Sequence, residues 1–238
     1  MQLSIALPCF NEEANVPYTL ADVDAWMQSR GIEGQIIAVD DGSKDGTARV
    51  LQELAQKYPR LRVVKHETNR GYGAAVRSGC DAATTEWIGF MDSDGQFHAE
   101  DFDHLVALSA SVPLVVGRRR HRADPFMRKV NAKCFGLLTW VVLGVWVRDV
   151  NCAMKMFRRD LWQRIRPTLA TGALFNAELF ARARKAGARW KQEDVSHYPR
   201  IRGVQTGANP LVILRMFKEL WKLWWLMRSS HALTPSVR

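Results

Sequence analysis

Short apolar runs alternate with longer helical patterns through the first half of the chain. The runs are Leu3–Leu7, Gln35–Val39, Leu61–Val64, Trp87–Met91 and Leu114–Val116. Between them, Asn15–Arg30, Thr47–Tyr58, Ala74–Ala83 and Asp101–Ser109 read as helices, the second with Asp45 or Thr47 as its N-cap. Strand, helix, strand in this order is the signature of an α/β fold, a mainly parallel sheet with helices on both faces. Polar clusters follow four of the runs: Asn11-Glu12-Glu13, Asp40-Asp41-Gly42-Ser43, Asn69-Arg70-Gly71 and Asp92-Ser93-Asp94. Ligands of such sheets sit beyond the carboxyl ends of the strands, so the four clusters are expected to converge on one edge.

The pattern changes near Gly117. Arg118, Arg119, Arg120, Arg122, Arg128, Lys129 and Lys133 crowd into a short segment, and the apolar stretch Phe135–Val147 follows. From Leu211 to Arg228, Arg215, Lys218, Glu219 and Lys222 fall on one helical stripe among Leu, Met, Phe and Trp. This predicts a closing amphipathic helix whose wide apolar face packs on the domain, on a second copy, or against lipid. The chain divides at 117 into halves, 1–117 and 118–238, with no linker or repeat between them, as expected of one continuous globular unit.

With 238 residues, 47% of them hydrophobic, the chain has enough apolar material for a proper core. A formal charge of +10 asks for an anionic partner without choosing among nucleic acid, phosphorylated small molecules and an acidic membrane surface. The four cysteines, Cys9, Cys80, Cys134 and Cys152, lack metal or paired spacing, which fits a reducing, cytoplasmic setting. The run Met1 to Pro8 ends in polar residues, unlike a signal peptide, and Phe135–Val147 is shorter than the roughly 20 residues that cross a bilayer. No membrane-spanning helix is expected.

Asp92 and Asp94 alternate after an apolar run and Gln96 continues the alternation, which directs two carboxylates and an amide oxygen toward one hard cation, Mg²⁺ or Mn²⁺. A solvated turn is the plainer reading of an isolated Asp-x-Asp, and the position after the fourth strand favours the metal. Asp40 and Asp41 end the second strand, where a carboxylate accepts from a ribose hydroxyl or a base N–H, although Asp-Gly-Ser also makes an ordinary turn. Pro8, Asn11 and Glu12 offer a rigid turn and polar groups for base and ribose. Gly71-Tyr72-Gly73 lacks the third glycine of a dinucleotide fingerprint, Val76 standing there, and no Gly-x-x-x-x-Gly-Lys loop is present.

In this order, Ala6–Glu13, Val39–Thr47, Asn69–Gly73 and Asp92–Gln96 resemble the family-2 inverting glycosyltransferases of the GT-A fold, especially the dolichol-phosphate mannosyltransferase and polyprenyl-phosphate glycosyltransferase group. Gly117-Arg118-Arg119 resembles the group's Gly-x-Arg, and Asp149–Lys155 its Asp-x-x-x-Gly-Phe-Arg/Lys segment with Ala153 and Met154 as departures. Arg200–Gln205 resembles Arg-x-x-Gly-x-Ser with Gln205 for serine, and Glu178, in the helical stretch Asn176–Lys185, has a counterpart as well.

What the resemblance implies is inverting transfer of a sugar from a nucleotide diphosphate donor, GDP-mannose or a UDP-sugar, to a polyprenyl or dolichyl phosphate. Pro8, Asn11, Glu12, Asp40, Asp41, Asn69, Gly71, Asp92 and Ser93 would hold the donor, and Asp92, Asp94 and Gln96 the metal. Arg119, Lys155 and Arg200 would hold the acceptor phosphate. Asp92, Asp94, Arg119 and Asp149 form the expected catalytic set, with Asp149 or Glu178 as base if the acceptor were a hydroxyl. A lipid acceptor also implies peripheral attachment at the inner face of the membrane, with Phe217, Trp221, Trp224 and Trp225 at headgroup level. A nucleotide-sugar pyrophosphorylase would open with a glycine-rich loop, which Cys9-Phe10-Asn11-Glu12 is not. A nucleic-acid-binding module would leave the four strand-end clusters without a purpose. A processive synthase would carry a Gln-x-x-Arg-Trp signature, which is absent.

Overall fold

Leu3, Ile5, Leu7, Ile36 and Ala38 point to one side of a central sheet, and Ala6, Ile37 and Val39 to the other, so the apolar runs are buried on both faces. The structure is a computed structural model that describes residues 1–120, 126–172, 174–200, 219–225 and 227. Its strands are β1 (Leu3–Cys9), β2 (Ile36–Asp40), β3 (Leu61–Lys65), β4 (Trp87–Phe90), β5 (Leu114–Arg119), β6 (Lys155–Arg158) and β7 (Trp190–Val195). They form one sheet in the order β3-β2-β1-β4-β6-β5-β7. Strands β1, β2, β3 and β4 pair in parallel, as do β5 and β7, while β6 runs antiparallel to both β4 and β5. The expected α/β fold with a mainly parallel sheet is therefore the fold observed.

One face carries α1 (Val16–Ser29), α2 (Thr47–Lys57) and α4 (Phe102–Ser109), through Val16, Leu20, Met27, Leu51, Phe102 and Leu105. The other carries α3 (Tyr72–Ala82), α5 (Phe126–Leu143), α6 (Arg159–Ile165) and α7 (Phe175–Lys185), through Val76, Cys80, Phe135, Trp162, Phe175 and Phe180. Five of the seven strands coincide with the predicted runs. Strands β6 and β7 are additions: β6 is four residues long and ends a segment read as a motif, and β7 is a half-buried edge of mostly polar residues, Trp-Lys-Gln-Glu-Asp-Val. Because β6 lies between β4 and β5, and β5 runs across position 117, the two halves of the chain share one sheet.

At the start of α2 the cap position is Gly46, and Asp45 accepts from the Thr47 amide at 3.0 Å and from the Thr47 hydroxyl at 2.5 Å. The predicted closing helix lies partly outside the described residues. Residues 219–225 are helical, with Leu220 and Leu223 buried and Trp221 and Trp225 exposed. One side of this helix thus packs on the body, and the opposite side presents tryptophan.

Candidate active site

Beyond the carboxyl ends of β1, β2 and β4, a cleft of about 360 Å³ is lined by Pro8, Cys9, Phe10, Glu12, Asp41, Asn69, Tyr72, Ala75, Asp92, Ser93, Asp94, Gln96 and Arg200. Four separate polar clusters of the sequence thus meet in one place, brought there by parallel strands that all end at the same edge. The Ser93 hydroxyl donates to the Pro8 carbonyl at 2.7 Å, and the Ser93 carbonyl accepts from the Thr19 hydroxyl at 3.1 Å. With Ser93 anchored in this way, Asp92 and Asp94 on either side of it face the cleft.

Burial and the charge of Asp94 push the Asp92 carboxyl up to about 7, against a hydrogen bond from the Tyr72 hydroxyl and the more distant positive charges of Arg119 and Lys155. The same contact, with burial as the larger cause, raises Tyr72 above the usual phenol range. Arg200 reaches in from the far side, donating to Glu12 at 2.7 Å and approaching Asp94 at 3.4 Å. Burial raises the Glu12 carboxyl, opposed by its bonds from Asn15 and Arg200. Gln96 donates from its amide to the Tyr198 carbonyl at 3.0 Å and takes the Tyr198 amide on its own carbonyl at 2.9 Å, tying the floor of the cleft to the segment that carries Arg200.

Asp40 and Asp41 point in different directions. Asp40 accepts from the Ser43 amide at 3.0 Å and keeps Oδ2 buried without a hydrogen-bond partner among the described residues, while Asp41 lines the cleft. Gly42 has φ +67, and a Cβ there would come within 2.5 Å of the Thr68 carbonyl carbon, so this glycine lets the β3–α3 loop close against the β2 end. Asn11, with φ 57, stands outside the cleft lining and accepts from the Lys44 amide at 2.8 Å, locking the β1 and β2 loops together.

Gly71 spends its amide on Asp41 and Asn69, and the first amides of α3, Gly73 and Ala74, point to the Thr171 carbonyl at 2.8 and 3.3 Å. The helix start that invites comparison with a pyrophosphate site is therefore capped by protein.

Several motif charges of the second half are engaged within the protein. Arg119 makes a two-pronged ion pair with Asp149, Nε to Oδ2 and Nη2 to Oδ1 both at 2.7 Å. Lys155 is fully buried, its ammonium bonded to the Val150 and Cys152 carbonyls and lying over the rings of Phe90 and Phe180. Burial depresses its pKa to about 8. Lys155 therefore holds the 149–154 loop from inside and is not part of the cleft lining. Glu178 is fully buried too, accepting from the amides of Thr168, Leu169 and Ala170 and from Arg182. A carboxylate so saturated has no role as a base and instead pins the loop whose Thr171 caps α3. The side chains of Arg122, Arg128 and Lys129 and the segment 201–218, with Arg202, Gly203, Gln205 and Phe217, lie outside the described residues.

Residues 4–166 match the family model described as Glycosyl transferase family 2. The chain belongs to that family. Dolichyl-phosphate beta-glucosyltransferase of Dictyostelium discoideum is 26% identical over 93% of this chain and 76% of its own length. Dodecaprenyl-phosphate galacturonate synthase of Rhizobium johnstonii is 32% identical over 70% of this chain and 50% of its own length, so this chain spans only half of that relative. Among solved structures, glucosyl-3-phosphoglycerate synthase from Mycobacterium tuberculosis in complex with phosphoglyceric acid superposes with a TM-score of 0.70 at 21% identity, covering 95% of this chain and 79% of that one. At that identity the likeness is one of fold.

In this family 2 chain, sequence reading passed over three residues. Tyr72 stands between two glycines with no motif role of its own, and its phenol becomes a partner of the Asp92 carboxylate only in the fold. His66 and Ser78 carry no motif: His66 meets Asp41 because β3 pairs with β2, and Ser78 meets His66 because α3 packs beside that pair.

Proposed function

We propose that this family 2 glycosyltransferase moves a sugar from a nucleoside diphosphate donor to a polyprenyl phosphate. The observation that carries the reading is the single cleft in which Asp41 and Asn69 stand at one end and the Asp92–Asp94 pair at the other, under the Arg200 guanidinium. Relatives named for glucosyl, galacturonosyl and formamido-arabinose transfer differ in sugar and agree in acceptor, a dolichyl, dodecaprenyl or undecaprenyl phosphate. That agreement supports the acceptor class and leaves the donor, UDP-sugar or GDP-mannose, to a screen.

Two neighbouring carboxylates and an amide oxygen are a hard donor set, and a cation held by Asp92 and Asp94 would offset the burial and the mutual repulsion that raise Asp92. Among the described residues no group of three or more His, Cys, Asp or Glu forms a complete cage, so diphosphate oxygens and water would fill the other positions around Mg²⁺ or Mn²⁺. A structural neighbour of this fold was crystallised with Mn²⁺ and UDP. Held there, the ion supplies electrostatic relief for charge on the leaving diphosphate.

Pro8, Glu12, Asp41 and Asn69 position the nucleoside, with Asn11, Asp40, Gly71 and Ser93 shaping the loops behind them. A lipid phosphate oxygen attacks the anomeric carbon as the bond to the diphosphate breaks, with inversion. The phosphate is already anionic and needs no general base, so positioning dominates. Arg200 trades its carboxylate contacts for phosphate oxygens, Arg119 is aimed by Asp149, and Lys155 adds positive charge from behind the loop.

A lipid acceptor supports a reaction at a membrane surface, without nucleic acid, and the free thiols fit the cytoplasmic side. No helix among the described residues is long and apolar enough to cross a membrane. Trp140, Val141, Trp146, Trp221 and Trp225 are exposed, and tryptophan favours the headgroup region. These residues form the proposed peripheral contact.

Transfer of radiolabelled sugar from UDP- and GDP-sugars to a short polyprenyl phosphate, with Mg²⁺ or Mn²⁺, tests the reading. Label appearing in the lipid fraction supports it, and label found only on hydroxyl acceptors overturns it. Removing 211–238 should release the protein from anionic vesicles, and unchanged sedimentation would refute the lipid contact.

A further inference from the structure

Behind the cleft, one histidine links the nucleoside end of the site to the body of the fold. His66 Nδ1 lies 2.6 Å from Asp41 Oδ1, and its Nε2 lies 2.9 Å from the Ser78 hydroxyl on α3. Both His66 and Asp41 are buried, yet only Asp41 lines the cleft. A carboxylate accepts and does not donate, so a proton sits on Nδ1, while the Ser78 hydroxyl, which can donate or accept, holds Nε2. The Nδ1 proton is thus set by the carboxylate, and Ser78, which does not line the cleft, holds the far side of the ring.

The torsion that turns a carboxylate about Cβ–Cγ is broad and poorly restrained by itself. For Asp41 it is restrained from outside. Oδ1 takes two donors, the His66 ring and the Arg70 amide at 2.9 Å, whereas Oδ2 takes the Gly71 amide at 2.9 Å. The crowded oxygen is the one turned toward His66. We infer that His66 is a positioning residue for the donor nucleotide: by occupying Asp41 Oδ1 it turns Oδ2 to the cleft, to accept a hydroxyl or N–H of the nucleoside. This rests on the donor-binding reading of the cleft and adds to it the group that orients the acceptor atom.

Titration calorimetry of the full chain with UDP and with GDP, in Mg²⁺, separates the roles of the two ring nitrogens. In His66→Asn the amide nitrogen reaches the place of Nδ1 and keeps the bond to Asp41; in His66→Gln it reaches the place of Nε2 and loses that bond; His66→Leu fills the space and loses both. For whichever nucleotide the native protein binds, the asparagine variant should stay within about threefold in Kd, and the other two should weaken about tenfold or more, as expected for a hydrogen bond to a charged group. The donor KM should rise by the same factor with kcat unchanged, the mark of binding lost equally from ground and transition states.

Equal weakening in all three variants would make His66 a packing residue, and no weakening in any would make it idle; either result overturns the inference. Long-range proton–nitrogen NMR on the native protein needs no substitution: a proton on Nδ1 supports the assignment, and a proton on Nε2 alone refutes it. Failure of the native chain to bind either nucleotide is a different outcome and removes the donor site itself.

Discussion

The cleft and the β5, β6 and α7 side of the molecule differ in what their charges face. At the ends of β1, β2 and β4, Glu12, Asp41, Asp92 and Asp94 open onto a cleft. On the β5, β6 and α7 side, Arg119 is matched by Asp149, Arg118 by Asp194 and Arg182 by Glu178, and Lys155 is closed in by carbonyls and aromatic rings. A motif residue on the first side is a candidate ligand contact in its own right. On the second side the same residue types mostly hold loops in place, because a charge carried inside a fold must find a partner or shift its pKa.

That contrast can be broken experimentally. The largest effect belongs to the cleft: Asp94→Asn should cut sugar transfer about a thousandfold, a loss of several kcal/mol, while circular dichroism shows an intact fold. Full activity in that variant, or in excess EDTA, would remove the metal from the account.

On the other side the loss should fall on stability. Glu178→Ala leaves Arg182 and three loop amides without their partner and should cost about 3–5 kcal/mol in urea unfolding. A stable variant that merely lost activity would move Glu178 to the catalytic side.

Arg119 tests the border between the regions. Arg119→Leu alone strands Asp149 and should destabilise by about 3 kcal/mol, whereas Arg119→Leu with Asp149→Leu should regain most of that. Transfer should nevertheless stay down about tenfold or more, through the acceptor KM. Recovery of activity together with stability would reduce the pair to scaffolding.

The smallest effect is the pH dependence of Lys155. Its folded pKa of about 8 lies below the ordinary 10.5, so between those values the unfolded chain carries the proton and the native chain does not. Stability attributable to Lys155 therefore rises with pH through this window and is lost as pH falls toward 8, by up to about 1.4 kcal/mol per pH unit. Lys155→Met should abolish that slope in urea midpoints compared across the window. An unchanged slope would mean that the ammonium is hydrated and belongs with the cleft.

How much of this was legible beforehand follows the same division. The five apolar runs, their intervening helices and the polar clusters at their ends were visible because strand and helix periodicity, and the polar residues that follow a strand, are local properties of the chain. Strand β7 was hidden because an edge strand exposes polar side chains, and β6 because its charged ends, Lys155 and Arg158, leave only two apolar residues between them. Asp40 and Asp41 looked interchangeable in sequence; alternation along β2 sends one to a turn amide and the other to the cleft.

The amino-acid order by itself determined the α/β class, the edge at which polar groups gather, and the family to which the chain is similar. Only the tertiary structure decided that Thr171 closes the start of α3, that Lys155 faces carbonyls, and that His66 reaches Asp41. The first and last join residues far apart in the chain, and Lys155 is turned to its near neighbours' carbonyls by burial against the distant rings of Phe90 and Phe180. A hydrogen bond depends on distance and direction in space, which periodicity along a sequence does not encode.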